Sequence, residues 1–216
     1  MQAMNQALER VMDETEKSIH IPTLLNEVEP RAVLFEALRP YGFVDSQIDD
    51  VFHSLKGESG RRFANKEWQV LKDRDALFIR PNNGEVIPEI RVHQLPVKVT
   101  LTDASCLQIN CFSFTPDYQI PHTSDVATLD AALVELPLTI RPWKQGDKFA
   151  PFGMKGKKKL VSDLLTDLKL SLYEKEAQLV VTDACDRILW VVGRRSDERV
   201  RVTEDTKDIM ELRINK

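Results

Sequence analysis

The chain has 216 residues, of which 42% are hydrophobic and 30% charged, and its formal net charge is −4. This composition indicates a soluble globular protein with room for one large or two small domains, and no run approaches the roughly 18 uncharged apolar residues that a membrane-spanning helix needs. The first residues also lack the basic and apolar regions of a signal peptide, so we expect a cytoplasmic protein with no membrane partner.

An amphipathic helix is the first predicted element. Apolar residues recur at helical spacing from Met4 to Met12, while charged residues occupy the opposite face. Pro22 then interrupts the pattern. We therefore expect residues 1–27 to form a leading linker helix.

Two short helices are predicted next. Pro30 suits the first turn of a helix that stops before Pro40. The second helix has Ser46 as its expected N-cap and Gly57 as its C-terminal stop. Two helices joined by a tight turn imitate a helix-turn-helix, but the second helix presents acids rather than bases, which disfavours DNA reading.

Strand patterns dominate from residue 62 onward. Turn residues flank the segments EWQVLK and ALFI, which predicts hairpins. Apolar and polar residues then alternate in EIRVHQL, VKVTLTD and CLQINCFSF. Residues 115–125 contain two prolines and little apolar content, which predicts a loop. We expect residues 28–132 to form one region, a helix pair followed by hairpins and strands.

The remaining residues, 133–216, are expected to form a compact C-terminal α/β domain. Strand patterns occur in LPLTIRPW, QLVVTD, RILWVVG and IMELRIN, and a helix pattern occurs in KKLVSDLLTDL. Ser171 and Glu174 have the spacing of a capping box, which predicts a second short helix. The predicted fold class is therefore α+β, a small helical and hairpin domain followed by an α/β domain with a mixed or antiparallel sheet.

The cysteines and histidines do not form a metal-binding or disulfide pattern. The three cysteines are an odd number without a CxxC pair, which indicates buried thiols in a reducing compartment. The four histidines are scattered and lack an HExxH spacing, so no metal site is predicted. The residues concerned are Cys106, Cys111, Cys185, His20, His53, His93 and His122.

Positive charge is concentrated in one stretch, residues 141–159, which we call the basic segment. It carries seven cationic side chains and one carboxylate, a net charge of +6, so the rest of the chain carries −10. Charge distribution matters more than its sum for a protein that contacts phosphate on one face only. The seven cations are Arg141, Lys144, Lys148, Lys155, Lys157, Lys158 and Lys159.

The glycines of the basic segment do not match the common phosphate-binding motifs. A Walker loop would need a glycine where Pro151 stands and a hydroxyl where Lys158 stands, and the dinucleotide pattern GxGxxG is absent. Gly153 and Gly156 form a GxxG, as in KH domains, but there the motif joins two helices, whereas here it follows irregular chain.

Two interpretations of the basic segment remain open on the residues alone. A glycine-rich cationic loop that leads into a helix favours an anion, and RNA phosphate fits such a site. Alternatively, the lysines form a solvated helix entrance, the glycines serve tight turns, and Trp143, Phe149 and Phe152 belong to the core.

With IRPWKQGDKFAPFGMKGKKKLVSDLLTDLKL at residues 140–170 and ILWVVGRRSDERVRVTEDT at 188–206, the sequence resembles the C-terminal domain of bacterial tRNA(Ile)-lysidine synthases. Residues 28–80 are similar to the smaller domain that precedes it in that family, so the resemblance covers nearly the whole chain. The matching residues are Arg141, Gly146, Asp147, Phe149, Pro151, Gly153, Met154, Gly156, Lys158, Lys159, Leu160, Asp163, Trp190, Gly193 and Arg195.

The resemblance implies an enzyme that adenylates the wobble cytidine of an isoleucine tRNA with ATP and magnesium, after which free lysine displaces AMP. Family members begin with an ATP-pyrophosphatase domain that carries an S-G-G-x-D-S loop, and this sequence contains no such motif. We therefore expect the C-terminal, non-catalytic portion, inactive alone, with no catalytic residue, metal or cofactor of its own. A smaller departure is LSLYEKEAQLVV, where relatives more often have a proline and an arginine.

The expected role of this chain is to bind and discriminate the body of the tRNA. Gly146, Asp147, Gly153 and Gly156 are expected to shape the loop, with Asp147 accepting main-chain N–H bonds and Trp143 packing rather than stacking on a base. The alternatives are a free-standing RNA-binding or regulatory module and an oligomerisation domain; a homodimer stays open. The expected tRNA-facing residues are the seven cations of the basic segment together with Arg194 and Arg195.

Overall fold

The computed structural model describes residues 2–82, 88–102, 105–115 and 117–215. The chain divides into two compact units, Met1–Glu85 and Val86–Lys216. Among the described residues, none of the helices combines the length and the apolar character required to cross a membrane.

The first unit combines four α-helices with a five-stranded antiparallel sheet of order β1-β2-β5-β4-β3 among its described residues. Its helices are α1 (Gln2–Val11), α2 (Ile21–Leu25), α3 (Pro30–Leu38) and α4 (Asp45–Ser54). Its strands are β1 (Met12–Asp13), β2 (Ser18–His20), β3 (Arg62–Ala64), β4 (Trp68–Asp73) and β5 (Ala76–Pro81).

The core of the first unit lies between the helices and one face of this sheet. Leu34 and Leu38 of α3 are fully buried, together with Ile48 of α4 and Leu77 and Ile79 of β5. Each such side chain contributes roughly 1.5–3 kcal/mol when it leaves water. The predicted helix pair and hairpins are present.

The expected N-cap of α4 at Ser46 is wrong. The helix begins at Asp45, and its N-cap is Val44, two residues before the expected one. Gln47, in the third helical position, accepts a hydrogen bond from the Val44 N–H at 3.2 Å. The cap is thus supplied from inside the first turn, so a serine side chain is not needed before it.

The second unit contains two larger antiparallel sheets and one short hairpin among its described residues. The five-stranded sheet has the order β15-β14-β13-β10-β6, the four-stranded sheet has the order β7-β8-β16-β9, and β11 pairs with β12. The strands are β6 (Ile90–Val92), β7 (Val97–Thr102), β8 (Ser105–Ser113), β9 (Val126–Asp130), β10 (Leu138–Pro142), β11 (Lys148–Phe149), β12 (Lys159–Leu160), β13 (Leu179–Thr182), β14 (Ile188–Val191), β15 (Arg195–Ser196) and β16 (Asp208–Asn215).

Two helices accompany these strands, α5 (Val161–Asp167) and α6 (Leu172–Glu176). The predicted capping box opens α6: the Glu174 N–H donates to Ser171 Oγ at 3.3 Å, and the Ser171 N–H donates to Glu174 Oε2 at 2.8 Å. Two backbone N–H groups at the start of the helix, those of Ser171 and Glu174, are therefore satisfied by each other's side chains.

The five-stranded sheet buries both of its faces. Ile140 and Val181 pack in one apolar cluster with Leu107 and Leu212 of the four-stranded sheet. Val180, the preceding residue on the opposite face of β13, packs instead in a second cluster that contains residues of α5. The alternation of side chains along a strand thus places the four-stranded sheet on one face and α5 on the other.

The division of the chain differs from the predicted boundaries at 27/28 and 132/133. The leading helix α1 shares the core of the first unit, since Ala7 and Val11 are buried in it. Beyond residue 133, β16 pairs with both β8 and β9, and β10 pairs with β6. The strands on either side of residue 133 therefore complete the same sheets.

The fold class is α+β, as predicted. All pairings between the described strands are antiparallel. The predicted loop at 115–125 joins β8 to β9 in its described part.

Candidate functional site

The basic segment forms the connection between β10 and α5. Its middle folds into the short hairpin of β11 and β12, in which Lys148 pairs with Leu160 and Phe149 pairs with Lys159. Helix α5 begins directly afterwards at Val161. Five of the six lysines therefore lie along a hairpin and its tip, immediately before a helix, and Lys144 lies in the turn that precedes the hairpin.

A buried carboxylate fixes the base of this hairpin. The side chain of Asp197 is fully buried, and it accepts a hydrogen bond from the Ala150 N–H at 2.8 Å. Asp197 also binds the guanidinium of Arg199 through two bonds of 2.9 and 2.8 Å. These hydrogen bonds raise the pKa of Arg199. Phe149, fully buried beside α5, anchors the same strand.

Two consecutive tight turns form the tip. The Met154 N–H donates to the Pro151 carbonyl, and the Lys157 N–H donates to the Met154 carbonyl, each at 3.1 Å. Gly153 and Gly156 adopt φ of +88° and +74°, a region that side chains rarely occupy. A Cβ at either glycine would meet no atom within 4 Å. These glycines are therefore required by backbone conformation, and their outer side is open.

Arg141 does not belong to the exposed cationic surface. Only 4% of this residue is exposed, and its guanidinium binds both carboxylate oxygens of Asp147 at 2.8 and 3.0 Å. The hydrogen bonds that Arg141 donates to Asp147 raise the pKa of Arg141. The physical reason is its register: Arg141 pairs with Val180, on the sheet face that α5 covers.

Asp147 also organises the turn that follows β10. It accepts the Lys144 N–H at 2.8 Å, and its own N–H donates to the Lys144 carbonyl at 3.0 Å. Gly146, with φ of +92°, occupies the turn between them. The geometry at Asp147 is thus that of a residue which shapes the loop.

Six lysines of the basic segment are placed in two ways. Lys159 is partly buried and forms an ion pair with Asp167. The other five are exposed, and no carboxylate of the described ranges 2–82, 88–102, 105–115 and 117–215 lies within ion-pair distance of them. They are Lys144, Lys148, Lys155, Lys157 and Lys158.

Arg195 is the first residue of β15, and Arg194 immediately precedes it. Arg195 donates to the Phe152 carbonyl at 3.4 Å, which places it against the tip. Arg194 donates to Gln178 at 3.3 Å and lies 3.8 Å from a carboxylate oxygen of Glu174. Arg195 is thus brought to the basic segment, while Arg194 is held by the residues around α6.

The aromatic residues of the segment separate into packed and exposed ones. Trp143 packs on the apolar cluster beside α5, and its ring N–H donates to the Lys175 carbonyl. Phe152 and Met154, at the tip, keep 49% and 39% of their surface exposed. Phe152 is therefore not a core residue, and its ring is available to a partner.

Glu198 was not identified from the sequence. Its carboxylate accepts the Gly156 N–H at 3.0 Å and lies 3.6 Å from Arg201. An external anion was expected at the glycine-rich tip, but the Gly156 N–H already binds a carboxylate of the same chain. Asp197 and Glu198 follow the basic segment at a long sequence distance, and no local motif marks them.

The described residues contain no group of three or more histidine, cysteine, aspartate or glutamate side chains arranged to hold a metal ion. Cys185 is exposed, and its thiol donates to Glu135 at 3.4 Å; this bond raises the pKa of Cys185. Cys106 is partly buried and Cys111 is exposed, so the expectation of buried thiols is wrong for two of the three.

Comparison with known proteins matches both units. The profile of the TilS substrate binding domain matches residues 12–82. The chain is 40% identical over 203 residues to a tRNA(Ile)-lysidine synthase of Bacteroides thetaiotaomicron, covering 93% of this chain and 43% of that protein. It is 36% identical over 198 residues to a tRNA(Ile)-lysidine synthase of Parabacteroides distasonis, covering 89% of this chain and 43% of that protein. The chain thus spans less than half the length of these relatives.

One solved structure shares the fold of a large part of the chain. It is described as the crystal structure of a TILS C-terminal domain, and it aligns with a TM-score of 0.51 at 22% identity. The alignment covers 59% of this chain and 97% of that structure.

Proposed function

The chain is a relative of the tRNA(Ile)-lysidine synthases, and from this premise we propose that it is the tRNA-binding part of such an enzyme. The complete enzyme would attach lysine to the wobble cytidine of an isoleucine tRNA with ATP. The exposed lysines of the basic segment would hold the RNA backbone, in the cytoplasm. This proposal goes beyond the names of the relatives, which concern the whole enzymes.

The observation that carries the proposal is the exposed part of the basic segment. Five exposed lysines without an ion-pair partner among the described residues lie on one hairpin or in the turn that precedes it, in a chain with a net charge of −4. Exposed ion pairs add little to stability, and unpaired exposed lysines add less, so folding does not account for this concentration of charge. A polyanionic partner such as RNA does account for this concentration of charge.

Phosphate contacts by lysines give affinity and position without sequence information. Each neutralised phosphate releases condensed counterions, so binding weakens as salt rises. The open side of Gly153 lets an RNA backbone approach the main chain of the tip. We therefore assign to the basic segment the recognition of A-form shape and backbone rather than of base identity.

The test is a charge reversal with a matched control. Lys155, Lys157 and Lys158 are replaced together by Glu in the full chain. The control replaces three other exposed lysines, Lys56, Lys98 and Lys207, and changes the net charge by the same amount. Affinity for an isoleucine tRNA transcript is measured by filter binding across a salt series.

We expect the tip variant to bind the tRNA roughly tenfold or more weakly at low salt, with a salt slope lower by about one per lysine. The control should change both quantities much less, and neither variant should melt at a clearly lower temperature, since exposed lysines contribute little to stability. Equal losses in the two variants would mean that only net charge matters and would overturn the assignment.

The ATP-dependent step is proposed to lie outside this chain. The sequence has neither an S-G-G-x-D-S loop nor a Walker loop, so no segment of it fits a triphosphate with its magnesium. We expect the chain alone to form no lysidine and to bind ATP no better than millimolar in calorimetry. Micromolar ATP binding would contradict this.

A further inference from the structure

A cleft of about 440 Å³ opens in the second unit next to the tip of the basic segment. Its lining includes Val126 and Thr128 of β9 and Arg195 and Ser196 of β15. An isolated bridge between Leu129 and Arg201 joins β9 to the chain that follows β15. Residues 120–124 of the loop that precedes β9 also line it.

The charge of the cleft is positive. Arg194, Arg195 and Arg201 line it, together with His122, and none of the described residues that line it is acidic. The carboxylates that hold two of these arginines, Glu174 and Glu198, lie outside the lining. Two of the three arginines thus have a carboxylate within 4 Å that is not part of the lining, and the cationic lining itself favours an anionic group.

Another part of the lining is apolar and aromatic. The half-exposed ring of Phe152 and the buried Trp190 face the same space as Ile120 and Val202. A planar ring next to guanidinium groups is the combination that RNA-binding proteins use for an unstacked base and its phosphate. The volume lies in the range of about 300–1,000 Å³ that is usual for sites of small organic ligands.

We propose that this cleft binds one unpaired nucleotide of the RNA, with its phosphate on the arginines and its base against Phe152. The proposal rests on the proposed function, because the neighbouring lysines are taken to hold the same RNA. It adds a different kind of contact: the lysines bind any backbone, whereas the cleft needs a nucleotide that is free of a duplex. In this proposal Arg201 and His122 lie beside the phosphate and Phe152 lies against the base, contacts that the lysines do not make.

The test compares a short blunt RNA duplex with the same duplex carrying an unpaired overhang. The variants are Phe152→Ala and Arg201→Gln in the full chain. Arg91→Gln is the matched control, since Arg91 is exposed and lies on β6, at the edge of the five-stranded sheet opposite to β15. Melting temperatures are measured for all three variants.

We expect the unaltered chain to prefer the overhang by roughly tenfold, because one stacked base contributes that much. Phe152→Ala and Arg201→Gln should abolish the preference while the blunt duplex is still bound, and Arg91→Gln should keep it. If one variant fails to fold, the other decides. Equal binding of both RNAs by the unaltered chain would overturn the cleft but leave the lysine surface intact, whereas binding of neither RNA would overturn the proposed function itself.

A free nucleotide is the second source of the same chemistry, and AMP serves as its probe. We expect AMP to compete with the overhang RNA at high concentration and to leave the blunt duplex bound. The contrary result is that AMP binds the unaltered chain, that Arg201→Gln loses this binding, and that AMP does not displace the overhang RNA. The cleft would then be a site for free nucleotides, and the proposal would be wrong.

Discussion

Replacement of Arg141 by Met distinguishes a structural arginine from one that contacts RNA. The side chain of Arg141 is 5% exposed and that of its partner Asp147 is 14% exposed, with bonds of 2.8 and 3.0 Å between them. Removing one member of a buried pair leaves the other charge uncompensated, which costs about 3–5 kcal/mol. Asp147 keeps the Lys144 N–H and some solvent, so we expect the lower end, about 3 kcal/mol.

A loss of this size is easily measured. For a unit of this length, 1 kcal/mol corresponds to roughly 3–4 °C, so Arg141→Met should lower the melting temperature by about 10 °C. The same loss should appear as a lower urea midpoint with an unchanged slope. Asp147→Leu combined with Arg141→Met should recover part of the stability, because an apolar pair of similar volume does not leave a buried charge.

The RNA measurement completes the test. At a temperature where Arg141→Met is folded, its affinity for isoleucine tRNA should stay within about twofold of the unaltered chain, since a buried guanidinium does not reach phosphate. An unchanged melting temperature together with a tenfold loss of affinity would refute this reasoning and return Arg141 to the RNA-facing surface.

Two further predictions concern the second unit. Residues 86–216 expressed alone should unfold cooperatively on heating, whereas residues 133–216 should not. The shorter piece lacks β6, which pairs with β10, and the strands β8 and β9 that flank β16. A cooperative transition in both pieces would show that the shared sheets are dispensable. Cys185 should react slowly with iodoacetamide near neutral pH, since its raised pKa lowers the thiolate fraction. Glu135→Gln should accelerate this reaction, as followed by mass spectrometry. Equal rates in the two chains would exclude the bond to Glu135 as the cause.

Elements set by local rules could be predicted from the sequence. The helix that begins at Pro30 and the capping box of Ser171 and Glu174 depend on residues within one or two turns, and both were found where expected. The hairpin of β4 and β5 likewise depends on its own turn. The boundary near residue 133 differs because the pairing of β16 with β8 joins residues about a hundred positions apart, which no local pattern encodes.

The candidate site could be predicted only in part. The concentration of lysines and the glycine turns follow directly from the residues between 141 and 159. The burial of Arg141 does not, because a polar residue that alternates with Leu138 and Ile140 normally faces solvent. Here α5 covers that second face, so alternation alone gives the wrong environment. The contact of Glu198 with Gly156 is missed for a similar reason, since it arises from tertiary packing.

The position of β16 at the centre of the four-stranded sheet affects the order of events during synthesis. Until this strand leaves the ribosome, β8 and β9 each present an unpaired edge, and such edges promote association between chains. Closing a sheet across so long a stretch of chain also slows folding, because the entropy of loop closure must be lost before the contacts form. Nascent chains should therefore depend on chaperones until β16 has been translated.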